Sequence, residues 1–220
     1  MQVGCVRVCL VMSMLSLGGF ASTGTAFAQN FAALDTARPA PEFMRVYGSA
    51  QPPFGFVRFC EANPLECSSP SAGDARYSAT PERLSELDAV NRSVNTDIDP
   101  ATDLEIYGVT EYWTMPVSRG DCEDFALMKR RRLQALGWPP SALLITVVRD
   151  EKNEGHAVLT ARTTQGDFIL DNKVESVKLW NQTPYHFVMR QSYIDPRVWV
   201  SLDPTDPAMP AAIAGVQANP

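Results

Sequence analysis

Gly120-Asp121-Cys122-Glu123-Asp124-Phe125-Ala126 sets a lone cysteine where a helix begins. The helix is expected to run from about Asp121 to Gly137. Phe125, Ala126, Leu133 and Leu136 share one face, and Lys129 to Arg132 supply charge. Gly137 suits the position just past the last turn, and Pro139-Pro140 prevents continuation. Downstream the hydrophobic period changes. Leu143 to Val148 reads as a strand, His156 to Arg162 as a second, and Asp167 to Leu170 as a third. Thr163-Thr164-Gln165-Gly166 forms a hairpin-like turn between the last two, and shorter strand-like pieces lie at Tyr185–Met189 and Arg197–Leu202. Upstream, Thr80-Pro81-Glu82 offers a cap, a first-turn proline and an early acid, so Leu84, Leu87, Val90 and Val94 predict a helix over 81–95. Helices first and strands after predict an α+β fold with an antiparallel sheet.

The ends bound the rest. Residues 1–28 read as a secretory leader: Arg7 is the only charge, Val8 to Leu17 is a short apolar run, and Ala26-Phe27-Ala28 precedes the expected cut. That run is too short to span a bilayer comfortably. No stable membrane insertion is therefore expected after cleavage. Removing the leader makes the formal charge of −6 one unit more negative. Such a balance argues against general nucleic-acid binding. Residues 29–79, rich in Pro, Ala, Gly and Ser, read as a loop-rich arm, 80–202 as the core, and 203–220 as a flexible tail. Of five cysteines, two fall in the leader. In the oxidising compartment that export implies, Cys60 and Cys67 can pair across a short loop, which leaves Cys122 as the odd thiol.

A cysteine nucleophile acts as thiolate, and the positive end of a helix dipole favours that anion. At a helix start capped by Asp121, Cys122 also has a backbone N–H without an intrahelical partner, free to donate to an oxyanion. Trp113 or a nearby backbone amide is the candidate second donor. His156 is the natural base. Asp171, closing the neighbouring hairpin strand, can orient its ring, since paired strands lie about 4.8 Å apart. Asn172 is the alternative orienter. His186 has no acid in an obvious partner strand and reads as structural, while Asp167 beside the turn is expected to be exposed. The acids around Cys122 raise its pKa by repulsion. Either they form an ordinary solvated first turn, or Asp121 and Glu123 hold a hard divalent cation, for which calcium is the best chemical match.

These blocks, with Lys129, Leu133 and Gly137, then His156-Ala157-Val158-Leu159 and Leu170-Asp171-Asn172, resemble the bacterial transglutaminase-like cysteine proteinases, the periplasmic group that includes the LapG adhesin-releasing proteases. The resemblance implies a papain-like, transglutaminase-like core and a Cys122-His156-Asp171 triad. It also implies calcium at Asp121 and Glu123, a protein substrate such as a surface adhesin, and restraint by an inner-membrane receptor. The stretch holding Cys60 and Cys67 departs from the LapG pattern, so substrate and regulator can differ. A periplasmic cysteine endopeptidase acting through a thioester is the leading expectation. A transglutaminase or amidase on the same triad, and a non-catalytic calcium-dependent binding module, are the alternatives.

Overall fold

The apolar, β-branched run Leu143-Leu144-Ile145-Thr146-Val147-Val148 is buried along its whole length and forms β4 (Leu143–Arg149), the middle strand of a seven-stranded sheet. This computed structural model describes residues 42–68 and 76–205. The expected leader, the start of the arm and the tail beyond Thr205 lie outside the described residues.

Strands β5 (Gly155–Thr163) and β6 (Gly166–Leu170) pair as the predicted hairpin, with Gly166 at φ 142° in its turn. β8 (His186–Gln191) flanks β4 on the other side, followed by β9 (Trp199–Ser201). The edges are β1 (Gly48–Ala50), paired with β9, and β7 (Lys178–Leu179), paired with β6. Every pairing in this sheet is antiparallel.

Three helices supply the core on one face. α2 (Pro81–Asp97) begins as expected, with Thr80 Oγ1 accepting from Arg83 N–H. It buries Leu87, Val90 and Val94 against α4 (Cys122–Ala135), which lies on β5 and β4. α4 is stopped by Gly137, just past its cap, whose φ of 89° is the left-handed conformation a glycine there supplies. The sequence assigns Lys129 to Arg132 to a charged face, yet Lys129 and Arg130 are buried. The cysteine-bearing helix packed on an antiparallel sheet is the α+β architecture the element order predicts.

The loop-rich reading of 29–79 needs correction. This stretch contributes β1 and a helix, α1 (Phe54–Ala62), that buries Phe56 and Phe59. Phe56 packs edge-on against Trp113 and Trp199, with ring centroids 5.5 and 5.3 Å apart. α1 lacks a capping side chain and holds a glycine, so its helicity comes from tertiary burial rather than propensity. The expected Cys60–Cys67 disulfide is present. It fixes a loop whose Glu66 carbonyl accepts from Arg130 and whose Cys67 carbonyl accepts from Arg197.

Gly55 lies so close to Trp113 that an added Cβ would sit 2.4 Å from Cδ1 of the indole. Gly55→Ala is therefore expected to cost about 1–3 kcal/mol, as overpacking does. In a thermal melt that is a loss of about 3–10 °C. An unchanged melting temperature would mean that α1 shifts freely on the sheet.

Candidate active site

Asp121 occupies the N-cap position of α4, but its side chain makes no capping bond. Cys122 opens the helix, buried beneath the start of β5. Ala157 N–H donates to its sulfur at 3.3 Å, so the strand that carries His156 meets the thiol directly. The thiol itself donates to Glu123 Oε2 at 3.4 Å. Glu123 starts about 100° round the helix from Cys122, yet its side chain folds back onto the thiol.

His156 and Asp171 are brought together from sequence-distant strand ends. Leu170 pairs with Leu159, and Asp171 follows directly, within reach of the first residues of β5. His156 Nε2 lies 2.9 Å from Asp171 Oδ1, with both side chains buried. The same oxygen accepts Lys173 N–H at 3.0 Å, and Oδ2 accepts the Tyr185 hydroxyl at 2.5 Å. Asn95 on α2 donates to the Asp171 carbonyl at 2.9 Å, which fixes the backbone as well. Burial opposes the charge on Asp171, yet the His156 hydrogen bond, its charge and the Tyr185 hydroxyl hold the carboxyl below its ordinary pKa. Asn172 does not take the orienting place: its Oδ1 is buried without a partner.

The acids gather differently from the expectation. A short parallel pairing joins β2 (Asp99–Pro100) to β3 (Arg119–Gly120), and Ala101 N–H donates to the Gly120 carbonyl at 2.9 Å. This carries the start of α3 (Asp103–Tyr107), with its Thr102–Glu105 capping box, to the tip of α4. One oxygen each of Asp103, Asp121 and Asp124 then lie within 4.8 Å of one another. The backbone of the loop after α3 ties two of them: Tyr112 N–H donates to Asp103 Oδ2, and Thr114 N–H to Asp124 Oδ1 at 2.9 Å. Asp103 Oδ1, both oxygens of Asp121 and Asp124 Oδ2 are left buried with no donor. Glu123 is outside this group of three and stands at the thiol, with its Oε1 likewise unpaired.

Crowded carboxylates out of water resist ionising. Burial, with the Asp121 charge, pushes Asp103 up to about 6. Burial pushes Asp124 up to about 8, against the Thr114 hydrogen bond. Glu123 is raised well above its ordinary value by burial and by Asp121. The Cys122 thiol is pushed well up by burial, then by the Glu123 and Asp121 charges. A thiolate at this helix tip therefore forms against burial and against the neighbouring carboxylates.

Three further expectations change. Trp113 is buried and gives its indole N–H to Glu111 Oε1 at 3.2 Å, so it is not the second oxyanion donor. His186 does have an acid partner, Asp203 Oδ2 at 2.8 Å, at the surface. Asp167 is fully buried, with Arg76 at 2.7 Å. Sequence reasoning missed Asp103, which lies 18 positions before Asp121 and reaches it only through the β2–β3 pairing. It also missed Tyr185, which looked like the first residue of a strand.

An α+β core whose antiparallel sheet supports a helix opened by cysteine is the papain-like arrangement of cysteine peptidases. The family model of the bacterial transglutaminase-like cysteine proteinases matches residues 46–207, and the chain belongs to that family. The match begins at β1, well before the expected core boundary at residue 80. Similar solved structures include Legionella pneumophila LapG, at 30% identity over 51% of this chain and 65% of that one, TM-score 0.43. The EGTA-treated form of LapG matches at 30% identity over 51% and 64%, TM-score 0.43. Its calcium-bound form matches at 26% identity over 63% and 77%, TM-score 0.47. In the first two of these the chain covers less than two thirds of the LapG length. No curated protein matches the chain. Among the described residues no helix is long and apolar enough to cross a membrane.

Proposed function

We propose that this chain is an exported, periplasmic cysteine endopeptidase in which Cys122 is the nucleophile, His156 the base and Asp171 the group that orients it. The observation that carries the reading is the buried contact of His156 Nε2 with Asp171 Oδ1 at 2.9 Å, on the strand whose Ala157 N–H reaches the Cys122 sulfur. With Nε2 engaged by the carboxylate, Nδ1 is the nitrogen left to exchange a proton with the thiol. Sulfur attacks the peptide carbonyl, and the proton taken by His156 passes to the leaving amine as the C–N bond breaks. Water then attacks the thioester, giving its proton to His156, and the thiol leaves with that proton restored. The Cys122 backbone N–H, at the first helical position, is available to the oxyanion in both steps.

The residues fit a calcium ion. Asp103, Asp121 and Asp124 would hold it, because hard oxygen ligands without donors are what that cation requires. When bound, it supplies the positive charge that lets the carboxylates beside Cys122 ionise. The substrate class is protein. A surface adhesin, and an inner-membrane receptor as regulator, are what the resemblance adds to this reading.

Comparing shed and periplasmic proteins from cells with and without this chain tests the proposal. New protein N-termini should appear only where the chain is present and calcium is available. The purified protein should also incorporate no labelled amine into a glutamine donor. Amine incorporation without cleavage would replace the peptidase by a transamidase.

A further inference from the structure

Tyr185 makes two contacts with the proposed base and its orienter. Its hydroxyl donates to Asp171 Oδ2 at 2.5 Å, and its ring stands edge-on to the His156 ring at 5.6 Å. His156 and Asp171 are almost wholly buried, whereas Tyr185 is half-buried, so the tyrosine lies on the solvent side of the pair.

The backbone is built to put it there. Phe187 and Met189 are two residues apart and would share a face in a regular strand. Instead Met189 joins the core beneath α4, while Phe187 and Tyr185 pack on the opposite face. The cause is an irregularity in the β4–β8 register between Val147 and Val148, where Val147 meets Met189 and Val148 meets Phe187. One extra residue on β8 reverses the alternation, as a bulge does. Without it, Tyr185 would face α4. With it, Tyr185 packs with Val158 and Ile169, and from there its hydroxyl reaches Asp171 at the end of β6.

We propose that Tyr185 is a positioning residue of the catalytic site: its hydroxyl holds the Asp171 carboxylate ionised and turned so that Oδ1, not Oδ2, meets His156. This rests on the peptidase reading above for its catalytic meaning. The geometry also gives a consequence that needs no substrate. A hydrogen bond to the ionised form of an acid favours that form, so its removal raises the acid's pKa.

The test is Tyr185→Phe in the full calcium-loaded chain. The ring remains, and only the hydroxyl goes. The titration midpoint of the Asp171 carboxyl carbon, followed by NMR, should rise. Turnover should fall about tenfold or more, the scale of a hydrogen bond to a charged group, with KM within about twofold. In an Asp171→Asn background the same Tyr185→Phe change should cost less than about twofold, because its target has gone. A retained melting temperature excludes unfolding as the cause. An unmoved Asp171 midpoint overturns the proposal, and so does a turnover loss of equal size in both backgrounds. If wild type cleaves nothing, the peptidase reading fails, and the Asp171 midpoint still decides the role of Tyr185.

Discussion

Cys122→Ala is expected to abolish turnover, by about 10⁴-fold or more, while the protein still folds. No other described thiol can replace it: Cys60 and Cys67 are joined, and Cys122 is the free cysteine. Losing one sulfur from a site roofed by Ala157 removes little buried volume. It leaves the Ala157 N–H without its acceptor, a cost of about 1–3 kcal/mol. It also removes the thiol's hydrogen bond to Glu123. The melting temperature should therefore fall by no more than about 10 °C, in a chain that no longer reacts with iodoacetamide. Rates are to be compared with calcium present, on a protein substrate identified from wild-type cells. A variant that cleaves at the normal rate would remove the thiol mechanism, whatever the fate of His156 and Asp171.

Local chemistry was legible in the sequence, and convergence was not. The period change at Leu143, the Thr80-Pro81 start and the Gly137 stop each act within a few residues, and the helices and strands fell close to where those residues put them. The contact of His156 with Asp171 could be inferred because a hairpin makes the register of two neighbouring strands a local matter. Asp103 was out of reach for the opposite reason. It meets Asp121 through a two-residue parallel pairing that no periodicity announces. α1 was hidden because two prolines, a glycine and three phenylalanines carry no helical preference until Phe56 and Phe59 are buried, Phe56 against Trp113 and Trp199. The buried Lys129 shows the same limit. Its position in a run of basic residues suggests solvent, yet it lies over the Phe125 ring, and burial lowers its pKa to about 7 against the pull of Asp171. Tyr185 depends on a bulge, which is a property of two strands together.

Calcium is expected to offset the pH dependence of stability. Without a divalent cation, the folded pKa of Asp103 is about 6 and that of Asp124 about 8, both raised first by burial. In the unfolded chain both return to the ordinary carboxyl value, so between about pH 4 and those pKa values the folded state binds more protons. Stability then falls as pH rises. Asp121 and Glu123, raised in the same direction, add to the effect. The window from pH 5 to 7 covers it, and Glu111, raised by burial too, acts in the same direction. Asp150 and Asp203 are held down to about 2 and act only in stronger acid, while Lys129, lowered to about 7, opposes the slope only weakly below that pH and fully above it. The metal-free chain should thus melt about 5–10 °C lower at pH 7 than at pH 5. Calcium at a hundredfold its dissociation constant contributes about 2.7 kcal/mol, or about 5–10 °C, and it does so at pH 7, where protons no longer compete for the carboxylates. Asp103→Asn separates this cluster from every other acid. It removes one buried charge, so it should raise the metal-free melting temperature at pH 7 and diminish the calcium gain. A metal-free chain equally stable at both pH values, or one that calcium leaves unchanged at pH 7, would show that these orphaned oxygens are satisfied in some other way.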